Sequence, residues 1–253
     1  GVTKANITVS GTLYNDRNGL MDGVVNGTVI SSPGGATIYA YLIDASGKVA
    51  LKTTVTAGGT YSFPQAEVNS EYTLLLSVTS VTLGANAPTS GNFSAVWSNV
   101  GDSYGSDNAA GIGNKSGTPN SSVTVRTGTT NVTNVNFGIQ RLPETDSYLS
   151  SVNQPRVNDI ITLNGAGMNP PILSGSDPED CNSGCVLSTK SVTIDQIPVN
   201  AELYYNNILV YDGQTINNFN PNLFQVKITP AALGDTSITF RYSYVDAAMM
   251  KDP

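Results

Sequence analysis

The chain has 253 residues, 12% of them charged and 39% hydrophobic, with a formal net charge of −7 and no histidine. The negative charge opposes nucleic-acid phosphates and suits a secreted protein or one that gathers divalent cations. Without histidine, Ser-His-Asp and Cys-His nucleophiles and every histidine-bearing zinc site are excluded. No run of about 18 apolar residues occurs, so no membrane insertion is expected.

Thr, Ser, Asn, Val and Gly fill most of the chain, a mixture that favours half-buried strands joined by turns. Asn6–Tyr14 alternates, with Ile7, Val9, Gly11 and Leu13 on one face. Strands are then expected over Ala36–Ile43, Lys48–Thr56, Thr60–Phe63 and Glu71–Val78, with Asp44-Ala45-Ser46-Gly47 and Ala57-Gly58-Gly59 as turns. Ser80–Ser121 reads as one long polar excursion, a length more often functional or ion-bound than idle. Ser122–Arg126 and Val132–Ile139 close this first unit.

A boundary is expected near Pro143, giving domains 1–142 and 143–253. The second has its own strands at Asp159–Leu163, Lys190–Ile194, Ala201–Tyr205, Ile208–Tyr211, Leu223–Thr229 and Ser237–Tyr244. Asn206-Asn207 marks a tight hairpin turn, and Ala231–Gly234 and Ala247–Met250 are the stretches able to form a helical turn. This rhythm predicts an all-β chain of two tandem antiparallel β-sandwich domains, Ig-like or prealbumin-like. The chain opens on Gly1-Val2-Thr3 and closes on Lys251-Asp252-Pro253, and we expect a segment of a longer protein.

The most specific local feature is Tyr14-Asn15-Asp16-Arg17-Asn18-Gly19-Leu20-Met21-Asp22-Gly23. Asp16, Asn18 and Asp22, with the carbonyl of Leu20, place oxygens around a bend at Gly19. Calcium wants six to eight such oxygens, and the loop offers about four or five. Asp102 and Asp107 from the long excursion are the candidates to complete the shell. The competing reading is a hydrogen-bonded Asx turn with no metal.

Asp177, Glu179 and Asp180, in Asp-Pro-Glu-Asp, form a second acidic cluster that reads either as a calcium loop or as a solvated turn. Directly after it stand Cys181 and Cys185 in Cys-Asn-Ser-Gly-Cys. This pair could be a small loop disulfide, half a metal site or two free thiols; the chain lacks the other soft ligands a metal site needs. A disulfide would point to an oxidising, extracellular compartment. No pair of carboxylates is nominated to flank a cleft, so no enzyme activity is expected. Trp97, in the polar excursion, is the candidate for stacking on a sugar, or else covers the end of the sandwich. Six Asn-X-Ser/Thr triplets, Asn26 and Asn131 among them, are what such a composition produces by chance.

Taken in order, Gly11-Thr12-Leu13-Tyr14-Asn15-Asp16-Arg17-Asn18-Gly19-Leu20-Met21-Asp22, Tyr39–Gly47, Gly59-Thr60-Tyr61-Ser62-Phe63, Tyr72-Thr73-Leu74 and Val135-Asn136-Phe137-Gly138-Ile139 make residues 6–139 resemble the prealbumin-like B-type repeats (Cna-B and SdrD-B-like) of bacterial surface proteins, as found in giant adhesins of Bacteroidota. Residues 144–253 resemble the sandwich repeats that follow in such proteins. The resemblance implies a non-catalytic, calcium-stiffened stalk or adhesive repeat at the extracellular cell surface, in an attachment or gliding adhesin exported by a type 9 secretion system. Its implied partners are neighbouring repeats of the same polypeptide, surface glycans and other cell-surface proteins. Some relatives carry a Lys–Asn isopeptide bond, for which Lys4, Asn136 and Glu71 are formally available. The alternative reading is a carbohydrate-binding module of a secreted protein.

Overall fold

In the computed structural model, which describes residues 5–104, 118–151, 156–230 and 237–252 (182–184 by backbone only), strands predominate and no α-helix is present among the described residues. The chain divides into two compact units, Gly1–Arg141 and Leu142–Pro253. Each has its own hydrophobic core. The molecule is all-β, built of largely antiparallel sheets in the manner of β-sandwiches.

In the first unit one sheet is formed by β1 (Asn6–Asn15), β2 (Thr28–Val29), β5 (Thr60–Glu67), β7 (Trp97–Ser103) and β9 (Asn136–Arg141). β1 lies at its centre, antiparallel to β5 and β2 on one side and parallel to β9 on the other. The facing sheet runs β4 (Val49–Thr54), β3 (Tyr39–Ile43), β6 (Glu71–Ser77), β8 (Ser122–Arg126). Period-two alternation sends Ile7, Val9 and Leu13 of β1 into the core, with Tyr61, Phe63, Phe137 and Ile139 beside them and Leu42, Leu74, Leu76, Val123 and Val125 opposite. Gly11 interrupts the apolar row for a steric reason. A Cβ there would lie 1.6 Å from the Val135 carbonyl oxygen and 2.6 Å from the Tyr61 hydroxyl, and that hydroxyl donates to the same carbonyl.

The described residues of the second unit form three small sheets. β10 (Glu144–Thr145), β12 (Ser174–Asp177) and β13 (Cys181–Val186) form one; β11 (Ile160–Thr162), β18 (Phe224–Ile228), β15 (Ala201–Tyr205) and β16 (Ile208–Leu209) form another, in those orders. The third runs β17 (Gln214–Ile216), β14 (Ser191–Gln196), β19 (Arg241–Val245). Phe219 and Phe224, 5.5 Å apart between ring centres, anchor its core with Leu173, Leu187 and Tyr244.

Two expectations are corrected. The excursion 80–121 contains β7, and its first part is tied to the facing sheet: Val49 N–H donates to Ala85 and Gly91 N–H donates to Leu76. β7 escapes the alternation rule because Trp-Ser-Asn-Val-Gly-Asp-Ser carries small and polar residues, Gly101, Asp102 and Ser103, at buried strand positions where apolar side chains are expected. Among the described residues, 3-10 turns lie at Gly19–Asp22, Pro33–Gly35 and Pro221–Leu223. At Ala247–Met250 the Asp246 carboxylate accepts the N–H groups of Ala248 and Met250, holding a non-helical turn, while 231–234 lies outside the described residues.

Candidate functional site

β1 delivers the oxygen-rich loop. Beyond Asn15, the N–H of Asp16 donates to the Ile139 carbonyl at 2.9 Å and carries the parallel ladder one residue further. The Asp16 side chain then folds onto the outer face of the sheet, over two glycines. A Cβ on Gly138 would stand 2.8 Å from Asp16 Oδ2, and one on Gly101 would stand 3.5 Å away. Strand glycines commonly mark such close approach. Gly101 and Gly138 are Cα partners across β7 and β9, so the cradle is a two-residue gap in an otherwise side-chain-covered surface.

Asp16 is wholly buried. Its Oδ2 accepts the Asn26 N–H at 3.2 Å, whereas Oδ1 has no hydrogen-bond donor. Burial pushes its pKa up to about 7; the Asn26 N–H opposes this and the negative charge of Asp22 adds to it. Asp22 is exposed and held below the usual range, first by the Asn18 side chain and then by the Val24 N–H. Asn26 joins the two carboxylates, giving its N–H to Asp16 and its side-chain amide to Asp22 at 3.2 Å. The Leu20 carbonyl accepts the Gly23 N–H at 3.0 Å, closing the 3-10 turn.

The expected ligands therefore divide. Asp16, Asn18 and Asp22 come together, joined by Asn26, which the sequence displayed only as a chance glycosylation triplet. Asp102 does not join them. It pairs with Phe137, next to the Gly101–Gly138 pair, and so points to the opposite, core face, near Tyr61. There its two oxygens accept the N–H groups of Asn120 (2.8 Å) and Ser121 (2.9 Å), fixing the entry to β8. Asp107 lies outside the described residues. Gln140 is also fully buried, two residues along β9 from Gly138 and on the same face, which makes it a further amide oxygen source there. Among the described residues no three carboxylates or thiols converge at metal-binding spacing. A hard cation on this loop would thus draw on amide and carbonyl oxygens as well as on Asp16 and Asp22.

The second acidic cluster is the turn of the β12–β13 hairpin. Asp177, wholly buried, accepts the N–H groups of Glu179 (2.8 Å) and Asp180 (2.7 Å) on Oδ1, and its Oδ2 has no donor. Asp180 reaches away to accept the Ala247 N–H at 2.7 Å. Burial raises the Asp177 pKa, with the charges of Asp180 and Glu179 adding to the rise.

Cys181 and Cys185 are joined in a disulfide with their Cα atoms 5.8 Å apart. Four residues of extended strand would span about 13 Å, so the segment between them bulges. Opposite it, a single residue, Ser176, separates Gly175 from Asp177, the partners of Cys185 and Cys181. The cysteines thus sit within a strand, where a free loop was expected. Trp97 opens β7 opposite Arg141 and packs against the core. Of the isopeptide candidates, Lys4 lies outside the described residues. Asn136 accepts the Thr12 N–H, and Glu71 is paired with Arg126 at 2.7 Å.

No family model matches the chain, and no curated protein matches it. Among solved structures it is similar to a DUF3823 family protein from Parabacteroides merdae, at 13% identity over 98% of this chain and 96% of that one, with a TM-score of 0.27. A candidate adhesin from Bacteroides ovatus shares 10% identity over 99% of this chain and 76% of its own, also with a TM-score of 0.27. Candidate polysaccharide-binding proteins (DUF1812) from Bacteroides thetaiotaomicron share 8% over 98% and 78%, with a TM-score of 0.25. Likenesses this slight carry no conclusion about the present chain.

Proposed function

We propose that the chain is a non-catalytic segment of an extracellular bacterial surface protein, a stalk or adhesive element whose first sandwich is stiffened by calcium at the Asp16 loop. The carrying observation is the Asp16 carboxylate. It is fully buried, seated over two strand glycines beside Asp22, Asn18 and Asn26, with one oxygen that no protein donor satisfies. Leaving such an acceptor unsatisfied is costly, and a hard cation is the ligand whose chemistry fits an oxygen-rich, donor-poor loop. Asp16, Asp22 and Asn18 are the side chains to hold it, with Gln140 on the same face. Bound calcium would supply positive charge where two carboxylates meet. Asp16 would then lock the end of β1 to β9 through its backbone and the 3-10 turn through its side chain. The disulfide of the second unit agrees with an oxidising, extracellular setting.

Thermal melting in calcium and in EGTA tests this. A ligand at a hundredfold excess over its Kd adds about 2.7 kcal/mol of stability, so calcium should raise the Tm of the wild type and leave Asp16→Asn unmoved. Superimposable wild-type curves would remove calcium from the proposal.

A further inference from the structure

The first unit is opened by β1 and closed by β9, and these two strands lie side by side in parallel. Leu13, Tyr14 and Asn15 are the Cα partners of Phe137, Gly138 and Ile139, and Val9 bridges Val132. Backbone bonds cross between the two segments at Val132 N–H to Thr8 (2.8 Å), Ser10 N–H to Val132 (2.9 Å), Val135 N–H to Ser10 (3.1 Å) and Asp16 N–H to Ile139 (2.9 Å). Two side chains add rungs: Asn131 accepts the Thr8 N–H at 2.9 Å and Asn136 accepts the Thr12 N–H at 3.1 Å. On its other side β1 is paired with β5 at six positions from Asn6 to Thr12.

Parallel pairing puts the two ends of the unit at opposite ends of the strand pair. The chain enters beside Asn6 and leaves beyond Ile139, which is level with Asn15, so entry and exit are about 30 Å apart along the strands. Tension applied through the ends then runs along β1 and β9. Every rung is loaded together, in shear, instead of opening one after another as an unzipping pair does. The second unit is built otherwise. Its first strand, β10, has two residues and is antiparallel to β12. Tyr244 N–H to Thr145 Oγ (3.1 Å) and Thr145 N–H to Asp252 (2.9 Å) tie that strand to the closing segment, which turns back on itself at Val245–Lys251.

We propose that β1 and β9 form a shear clamp that makes the first sandwich the load-bearing unit of the chain, with the second sandwich yielding first under tension. Its use in a stalk rests on the reading above. The clamp itself needs neither calcium nor a surface location, so failure of the calcium test leaves it standing.

Single-molecule force spectroscopy on the full chain, held at its two ends, tests the clamp, because forced rupture reports the unfolding barrier. The expected trace releases about 380 Å of contour at low force, then about 480 Å at a distinctly higher force, taking about 3.4 Å per unfolded residue. Moving the N-terminal attachment to Gly58→Cys changes the geometry at small structural cost, since a Cβ there meets only Thr56 Oγ1 at 3.8 Å. Position 58 lies just before Thr60, the partner of Thr12, and so at the exit end of the strands. Pulling between it and the C-terminus unzips the sheet, and the high-force event should disappear. The proposal is overturned if the larger release comes first, if both units rupture at one force, or if the high-force event survives at Gly58→Cys.

Discussion

Asp16, just past β1, and Asp177, at the end of β12, are both wholly buried, and each has one carboxylate oxygen without a donor. They differ in what holds the other oxygen. Asp177 sits in an Asp-Pro turn that supplies two short backbone N–H bonds, at 2.8 and 2.7 Å, from the residues that follow it. Asp16 takes a longer bond, at 3.2 Å, from Asn26, ten residues on, with the N–H groups of Gly19 and Asn18 contributing less, and depends on glycines of two other strands for its space. One carboxylate is capped by its own turn, and the other relies on long-range structure in addition to its turn. Acidic residues in a loop are therefore poor guides to ion binding until the backbone donors around them are counted.

The largest expected effect is at the cradle. Gly138→Ala drives a methyl to 2.8 Å from Asp16 Oδ2 and 2.9 Å from its Cβ. Overpacking of this kind costs about 1–3 kcal/mol, and the upper end is expected because the neighbouring backbone is fixed by the β1–β9 ladder. Chemical denaturation should show that loss together with loss of the calcium response. A variant with wild-type stability would mean that Asp16 is not pressed against the sheet, and the contrast with Asp177 would vanish.

A smaller effect is expected from titrating Asp16 in chelator. Its pKa rises from 3.8 unfolded to about 7 folded. Between these values the folded form keeps a proton that the unfolded chain has lost, so stability falls as pH rises through that window. Taken whole, the shift would be worth about 4 kcal/mol; relaxation of the loop and solvent screening reduce the expected change to roughly 1–2 kcal/mol. Melting from pH 4 to 7.5 in EGTA should show the decline in the wild type and a nearly flat profile in Asp16→Asn. Equal slopes in both proteins would assign the titration to another group.

Local pattern made part of this legible. β8 and β15 begin and end where alternation places them, at Ser122–Arg126 and Ala201–Tyr205, because each alternates inward and outward side chains against a single core. β7 was hidden since Gly101 has no side chain and Asp102 is an inward carboxylate, and neither reads as strand. The 3-10 turns escaped because each is a single turn of three or four residues made by local bonds, with no apolar period to betray it. In the loop, Asp16, Asn18 and Asp22 were visible through their spacing. The glycine cradle was not, as Gly101 and Gly138 are 37 residues apart and meet only through sheet register. A glycine inside an otherwise apolar run such as Phe137-Gly138-Ile139 was the available signal. The core-face position of Asp102, expected at the calcium loop, was hidden for the same reason: a carboxylate's direction is set by strand parity, which depends on where the strand begins.

Asp177 gives the smallest effect and the sharpest sign. Asp177→Ala leaves the N–H groups of Glu179 and Asp180 without their acceptor, a loss of about 1 kcal/mol. Asp177→Asn keeps that acceptor and places an N–H donor where Oδ2 now meets the charges of Asp180 and Glu179. If the turn is self-sufficient, Asn should match or exceed the wild type in stability, with or without calcium. If a cation is held there, Asn should fall below the wild type in calcium and match it in EGTA. Denaturant midpoints of the three proteins under both conditions decide between these outcomes. The first would make the two buried aspartates chemically distinct, while the second would make them two versions of one device.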